Sequence, residues 1–530
     1  VRAKALYVFA CFALAVAFFT TVPFRGLFEP DESRYALVAQ GMLQEGHWLV
    51  PHLEGRPYTH KPPLYLWLVA ALRGLGLPWT VAGVLPSFAA AAALLLLFPG
   101  LGRRWGLNAE ESYLAAATLV ACPLFATMAL AARMDMLLAL ALSVALAAAW
   151  SLLFGESDSP RWRWFFWLSV AAGVMSKGPV TLALLALTLV LLAAVNREPL
   201  PWRRLFAGGA WVAALGLLLA WFVPAALSQG RAWVEEILVR QSAGRMVKSF
   251  AHREPFYFHL LTWPVTGFPA SLLALGAALA FWRRKEEPAL RFWASAFLAI
   301  LLFFSAISGK LVVYLLPLVP VGAVLSVLAL RRQSRWILWA VSLVALGGVV
   351  LGLALATLPY WRNELPLSPA LSLLLGGIFA ALSAFAAVLA FRGRLRQAFH
   401  VLVAAGLFFT LAVLPVATDA LDARLSVRPI ARRLAALVGP QAPGLVYRET
   451  LSGLPVYGER PFSRLESPEA LAEALQSGGA VVITQKDWQK VSPKLNLEAL
   501  QIESFPYRRS ALLLVYPRQA LETGKEQQGP

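Results

Sequence analysis

Long apolar runs set the limits on what this chain can fold into. Stretches of about 17 to 25 residues, each able to cross a ~30 Å hydrocarbon core as a helix, recur from the N-terminal end to about position 418. Spans are expected near residues 5–24, 79–99, 111–130, 134–154, 162–176, 179–195, 204–226, 259–281, 291–307, 311–330, 334–357, 369–391 and 397–418, which makes about thirteen. With 59% hydrophobic and 14% charged residues, the chain has too little polar surface to coat a soluble globule of its length. The expected class is an all-α polytopic membrane protein with a small C-terminal α/β domain.

The cations fall in a pattern that orients the spans. Counted from a cytoplasmic start, alternate loops hold Arg2 and Lys4, Arg103 and Arg104, Arg161 and Arg163, Arg197, Arg203 and Arg204, Arg283 to Lys285, Arg331, Arg332 and Arg335, and Arg392, Arg394 and Arg396. This positive-inside distribution explains much of the net charge of +18 without any nucleic-acid partner. The odd span count puts three regions on the opposite, periplasmic face: a first loop at 25–78, a second at 227–258, and the segment 419–530. The first span reads as a retained signal anchor, and Cys11 and Cys122, both inside spans, as buried thiols.

After Asp419 the apolar spans stop and Pro and Gly become frequent, which marks a separate domain. Strands are expected in LVYR from Leu445, AVVIT from Ala480 and ALLLVYP from Ala511, and helices near Val427–Val438 and Pro468–Gln476. Gly478-Gly479 lacks the spacing of a phosphate-cradling loop.

Charge concentrates in the first external loop, EPDESRYALVAQGMLQEGHWLVPHLEGRPYTHKPP, which holds Glu29, Asp31, Glu32, Arg34, His47, His52, Glu54, Arg56, His60 and Lys61. Pro30-Asp31-Glu32 opens a helix with Tyr35, Val38 and Met42 on one face and Gly46 as its terminator; LYLWLVAALRGLG forms a second short helix. The other external loops are nearly bare of charge except at Arg133 and Asp135 (ARMDM), Lys177 (MSKGP), Lys310 (SGKLVVYLLP), and Arg240, Arg245, Lys248, His252 and Arg253 before the eighth span. Such groups cost roughly 3 kcal/mol each near hydrocarbon, so pairing or function must account for them. A pocket built from these loops would be cationic with embedded carboxylates. It suits a substrate whose negative charge grows on a leaving oxygen, as when phosphate departs from a sugar's anomeric carbon.

Plainer roles exist for each residue. Asp31 could cap its helix, Asp135 could pair with Arg133, Lys177 could meet the carbonyls ending the fifth span, and Lys61 and Lys310 could snorkel to headgroups. Trp48, Trp67 and Trp263 read as interfacial aromatics. A divalent metal at His60 and His252 is an alternative, although their spacing is not that of a helix or hairpin site.

The order PDESRYA, GHWLVPHLEGRPYTHKPPL, ARMDM, MSKGP, HREPFYF and SGKLVVYLLP resembles the bacterial lipid A aminoarabinose transferase family, related to the protein O-mannosyltransferases. The likeness covers roughly residues 5 to 330. It implies a GT-C-type fold and an inverting membrane glycosyltransferase that takes a sugar from a polyprenyl (undecaprenyl) phosphate and gives it to lipid A, a glycan or a protein. It further implies catalytic or sugar-positioning roles for Asp31 and Asp135, and donor-phosphate contacts from Lys61, Arg253 and Tyr314. Arg34, Tyr58 and Lys310 are further candidates for that pocket. Where the family usually has glutamate before the lysine, this chain has His60, so sugar, acceptor and any metal stay open. A flippase for lipid-linked sugars is the rival class and would show charged or glycine-broken positions midway along its spans and internal repeats. A non-catalytic assembly factor would require no convergence of opposite charges.

Overall fold

A computed structural model describes residues 2–155, 159–196, 198–237, 254–281, 287–332, 334–363, 365–438, 443–495 and 497–518. The first half of the chain runs through α1 (Arg2–Thr21), α2 (Asp31–Glu45), α3 (Leu64–Gly74), α4 (Trp79–Arg104), α5 (Ala109–Ala121), α6 (Pro123–Ala129), α7 (Asp135–Phe154) and α8 (Pro160–Lys177). A two-stranded hairpin, β1 (His52–Leu53) and β2 (Arg56–Pro57), lies between α2 and α3. Helices occupy all thirteen expected segments, but they are not thirteen uniform spans. Among the described residues eight are single helices long and apolar enough to cross a membrane, or nine if α5 and α6, bent by 68°, count as one. The protein is a multi-pass membrane protein.

The helices are apolar on nearly all sides, as a lipid-facing bundle requires, and their shared interior is a single large cluster of Leu, Ala, Val, Phe and Trp side chains. Small residues set the closest approach. Where helix Arg335–Trp361 packs on helix Pro369–Phe391, a Cβ at Gly376 would overlap the Ala356 backbone and one at Gly352 the Ala380 backbone, so only glycine admits this crossing. Trp263, expected at the interface, is instead buried: helix Phe258–Thr266 stops short and a second helix starts at Ser271, whose carbonyl accepts the Trp263 indole N–H at 2.9 Å.

The last membrane helix, Leu395–Leu425, passes through Asp419, so the apolar-to-mixed change in composition precedes the structural boundary by about two turns. Beyond it lies a five-stranded sheet, ordered β4-β3-β5-β7-β6, from β3 (Gly444–Tyr447), β4 (Phe462–Leu465), β5 (Val481–Thr484), β6 (Leu500–Tyr507) and β7 (Ser510–Pro517). β3 pairs in parallel with β4 and β5, while β7 runs antiparallel to β5 and β6. Side chains alternate across it: Val482 faces helix Arg428–Leu437, whereas Val481 and Ile483 face Leu471, Leu475 and Trp488.

This domain is joined to the bundle through the first loop. Val456 lies in the same apolar cluster as Tyr35, Val38, Met42, Tyr65 and Leu66 of α2 and α3. The Gly453 amide donates to Glu29 Oε1 at 2.6 Å and the Leu27 amide to the Tyr457 hydroxyl at 2.6 Å, while the last membrane helix takes the Gly26 amide on Asp422 Oδ1 at 2.7 Å. The soluble domain therefore holds the segment that leads into α2.

Candidate active site

α2 forms where the sequence places it, ending at Gly46 in the left-handed conformation (φ 74°) and burying Tyr35, Val38 and Met42. Its acidic first turn does a different job from the expected one. Asp31 makes no capping hydrogen bond. The neighbouring Glu32 is buried and grips Arg25 through two bonds, Nη1 to Oε2 at 2.6 Å and Nη2 to Oε1 at 3.1 Å. Glu32 also accepts from the amides of Phe28 and Ala132, both at 2.9 Å, and Arg25 Nη2 donates to the Leu130 carbonyl at 2.8 Å. Both Glu32 oxygens and both terminal nitrogens of Arg25 are thus bonded, the condition under which a desolvated ion pair is tolerated. The pair fixes the 130–134 turn, delivered by the bend between α5 and α6, against the start of α2.

From that turn Arg133 reaches both carboxylates expected to act. Its Nη1 donates to Asp31 Oδ2 at 2.6 Å and its Nε to Asp135 Oδ2 at 3.1 Å. Lys177, the last residue of α8, donates to Asp135 Oδ1. It does not turn to the carbonyls of its own helix. Arg34 stands 3.6 Å from the other oxygen of Asp31. The result is a row of alternating sign drawn from three loops: Arg34, Asp31, Arg133, Asp135, Lys177. Burial opposes the charge on Arg133, but Asp135, Tyr35 and Asp31 together outweigh it and hold the guanidinium above its ordinary range.

The row ends against an aromatic wall. The Lys177 ammonium lies 4.7 Å from the Tyr314 ring centroid, and Tyr314 stacks on Phe304 at 5.3 Å. Lys61 lies close enough to add to the field on Asp135. It is brought there by packing of the Lys61-Pro62-Pro63 segment on Gly178, which has φ 84° and sits with its Cβ position 3.9 Å from Pro62. Tyr58 is buried behind His60, their rings 5.2 Å apart. Four cations, Arg34, Arg133, Lys177 and Lys61, face two carboxylates and leave an excess of two positive charges.

The two carboxylates are not equivalent. The Asp135 side chain is 5% exposed and each of its oxygens is taken by a cation. The Asp31 side chain is 32% exposed and keeps a face open to an incoming group. Asp135 is therefore an organiser of cations, and Asp31 the group placed to meet a substrate or an ion. Among the described residues no three His, Cys, Asp or Glu side chains come together as metal ligands; His60 is exposed, and its proposed partner His252 lies outside the described residues.

Of the other expected residues, Arg253 also lies outside the described residues, as do Arg240, Arg245 and Lys248. Lys310 neither snorkels nor faces the row: it is 4% exposed and its ammonium donates to the carbonyls of Ile307 (2.7 Å) and Glu254 (2.9 Å), closing the end of helix Pro288–Ala306. The sequence reading missed Arg25 and Glu32 as the clamp beneath the site. The signal available was an arginine at the end of a span seven residues before a glutamate in a helix's first turn.

Comparison with known proteins shows what the chain as a whole is similar to. No family model matches the chain. It is 30% identical over 369 residues to an undecaprenyl phosphate-alpha-4-amino-4-deoxy-L-arabinose arabinosyl transferase of Pseudomonas paraeruginosa, covering 67% of this chain and 65% of that protein. A protein with the same description from Pseudomonas aeruginosa is 30% identical over 374 residues, covering 67% and 66%. One from Sodalis glossinidius is 30% identical over 314 residues, covering 57% and 56%. The aligned part thus spans just under two thirds, or less, of the length of these relatives. Among solved structures, that of ArnT from Cupriavidus metallidurans bound to undecaprenyl phosphate shares the fold, with a TM-score of 0.75 over 97% of this chain and 98% of that one at 22% identity. The archaeal oligosaccharyltransferase AglB from Archaeoglobus fulgidus shares it more distantly, with a TM-score of 0.51 at 13% identity over 91% and 69% of the two chains.

Proposed function

We propose that this chain, 30% identical to undecaprenyl phosphate-aminoarabinose arabinosyl transferases over 67% of its length, is a member of that family and a GT-C-type membrane glycosyltransferase moving a sugar from a polyprenyl phosphate to an acceptor such as lipid A. The orientation follows from the arginine-rich loops: the site and the C-terminal domain face the periplasm and the bundle lies in the bacterial inner membrane. The observation that carries the reading is the row Arg34–Asp31–Arg133–Asp135–Lys177 with Lys61 beside it, cationic overall yet offering one open carboxylate.

The chemistry follows from that balance. An acceptor oxygen attacks the anomeric carbon from the face opposite the phosphate, the new C–O bond forms as the sugar–phosphate bond breaks, and configuration inverts. The departing phosphate gains charge, which Lys61 and the cations of the row stabilise. Two unit charges about 4 Å apart at an effective dielectric of ~20 interact by roughly 4 kcal/mol, so one well-placed cation accounts for a large rate factor. Asp31 orients the acceptor and takes its proton when the acceptor is a hydroxyl; a phosphate acceptor is already anionic and needs no base. Donor-phosphate contacts from Arg253 and Tyr314, and a secondary one from Tyr58, belong to the same reading, whereas the Lys310 ammonium is held by backbone carbonyls.

The test is transfer by purified protein given a polyprenyl-phosphate sugar and candidate acceptors. Asp31→Asn is expected to abolish turnover while donor binding stays close to wild type. Equal transfer by both proteins removes Asp31 from the reaction, and movement of lipid-linked sugar across vesicles without transfer replaces the transferase with a flippase.

A further inference from the structure

The last membrane helix ends in two consecutive carbonyls that hold separate pieces of chain side by side. The Leu425 carbonyl accepts the Glu29 amide at 3.1 Å, and the Arg424 carbonyl accepts the Arg508 amide at 2.7 Å. The first bond ties down the segment that opens α2 and carries Asp31. The second ties down the tip of the β6–β7 hairpin, the two-residue turn Arg508-Arg509 between the paired residues Tyr507 and Ser510.

That tip runs against local preference. Two-residue hairpin turns favour Asn-Gly or a similar pair, because their backbone enters the left-handed region. Here Arg508 adopts φ 51°, and both turn residues are exposed arginines. Arg508 is kept in place from below as well, its guanidinium 5.0 Å from the ring centroid of the buried Tyr507. The turn presents two exposed guanidinium groups beside the end of the last membrane helix. The two neighbouring carbonyls set the tip next to the segment that leads into the row: Glu29 is two residues from Asp31, Arg508 and Arg34 both act on the Glu29 carboxylate, and Arg34 is 3.6 Å from Asp31. The carboxylates facing this patch are Glu29, which is buried and bonded to Gly453, and Glu449, which acts on Tyr507.

We propose that the Arg508-Arg509 tip, held beside the end of the last membrane helix, forms a subsite for the phosphate-bearing headgroup of the acceptor lipid, on the Asp31 side of the row. The donor phosphate is served from the opposite side, by Lys61, Lys177 and Tyr314. The inference rests on the transferase reading for what the lipid is, and on guanidinium–phosphate complementarity for how it is held. It gives the C-terminal domain a direct part in recognition, since a headgroup seated on the tip presents its acceptor group toward Asp31.

The experiment uses the full chain in nanodiscs, with a phosphorylated glycolipid and its phosphate-free counterpart as probes. Binding is read by native mass spectrometry without donor, and transfer is read as separate KM values for acceptor and donor. For the double variant R508Q/R509Q, affinity for the phosphorylated lipid is expected to fall about tenfold, ~1.4 kcal/mol. Binding of the phosphate-free lipid, donor KM, kcat and thermal stability should stay unchanged, and R508K/R509K should recover part of the loss. Unchanged binding of the phosphorylated lipid overturns the proposal, as does equal loss of both lipids. Wild type that binds the phosphorylated lipid through these arginines but transfers no sugar would instead overturn the transferase reading and leave the subsite standing.

Discussion

Lys177, the last residue of α8, gives its ammonium to Asp135, the first residue of α7, so two consecutive helices are closed at one end by a buried ion pair. The pair is part of the site and part of the fold at once. Lys177→Met leaves Asp135 with one cation, and breaking a buried pair of this kind costs about 3–5 kcal/mol. We expect a fall in melting temperature together with at least a hundredfold loss of transfer, and partial recovery of both in Lys177→Arg. Thermal unfolding and transfer assays on the same preparations check this; a stable variant with wild-type activity contradicts it.

The Arg25–Glu32 clamp predicts a dissociation of stability from activity. Either single change, Arg25→Met or Glu32→Leu, strands a buried charge and is expected to destabilise by about 3 kcal/mol or more. The double change removes both charges and is expected to be more stable than either single one. Its activity should stay low, because the Ala132 amide loses the Glu32 carboxylate that holds the turn under Arg133. A double variant no more stable than the singles shows that the pair is not coupled as described.

Gly178 has a narrow tolerance. Its φ of 84° strains any side chain, and its neighbour Pro62 belongs to the segment that carries Lys61. Gly178→Ala is expected to cost about 1 kcal/mol and to raise donor KM more than it lowers kcat. A variant with unchanged donor KM separates Gly178 from the placement of Lys61.

Glu29 makes a pH-dependent contribution with a definite sign. Burial pushes its carboxyl above the ordinary value, and the Gly453 amide only partly offsets this. A carboxyl whose folded value is raised stabilises the fold most below its unfolded value, near 4.3, and that contribution is lost as pH rises through the folded value. Glu29→Gln, which still accepts from Gly453 but does not titrate, is expected to gain on wild type in melting temperature between pH 4 and pH 7. A gap that narrows over that range reverses the assignment.

Several features were legible because local rules and tertiary packing agree. Gly46 ends α2, Pro468–Gln476 is a helix with Ser467 capping it, and the apolar strands β3, β5 and β7 lie at the centre of the sheet. The edge strand β6 escaped because it alternates polar residues and contains Pro506, which an edge tolerates and a centre does not. Site residue types were legible, their partners less so. Lys177 meets Asp135 across 42 residues and Glu32 meets the Ala132 amide across 100, and no periodicity encodes such pairings. Asp31 looked like a cap since helix starts favour acids, but Pro30 holds the cap position, Asp31 is the first residue of α2, and its carboxylate turns to Arg133. Trp263 is expected at the interface when 259–281 is taken as one span, although Gly267 and Pro269 signal the break before Ser271 that turns it inward.

The measurement that bears most directly on the whole account is the density of the full-length protein with its polyprenyl phosphate bound. The phosphorus is expected beside Lys61 and the Lys177 end of the row, with the Asp31 carboxylate left open on the other side. A phosphate seated away from Lys61, Lys177 and Arg133, or one lying directly against Asp31, would contradict the division of labour between the two carboxylates.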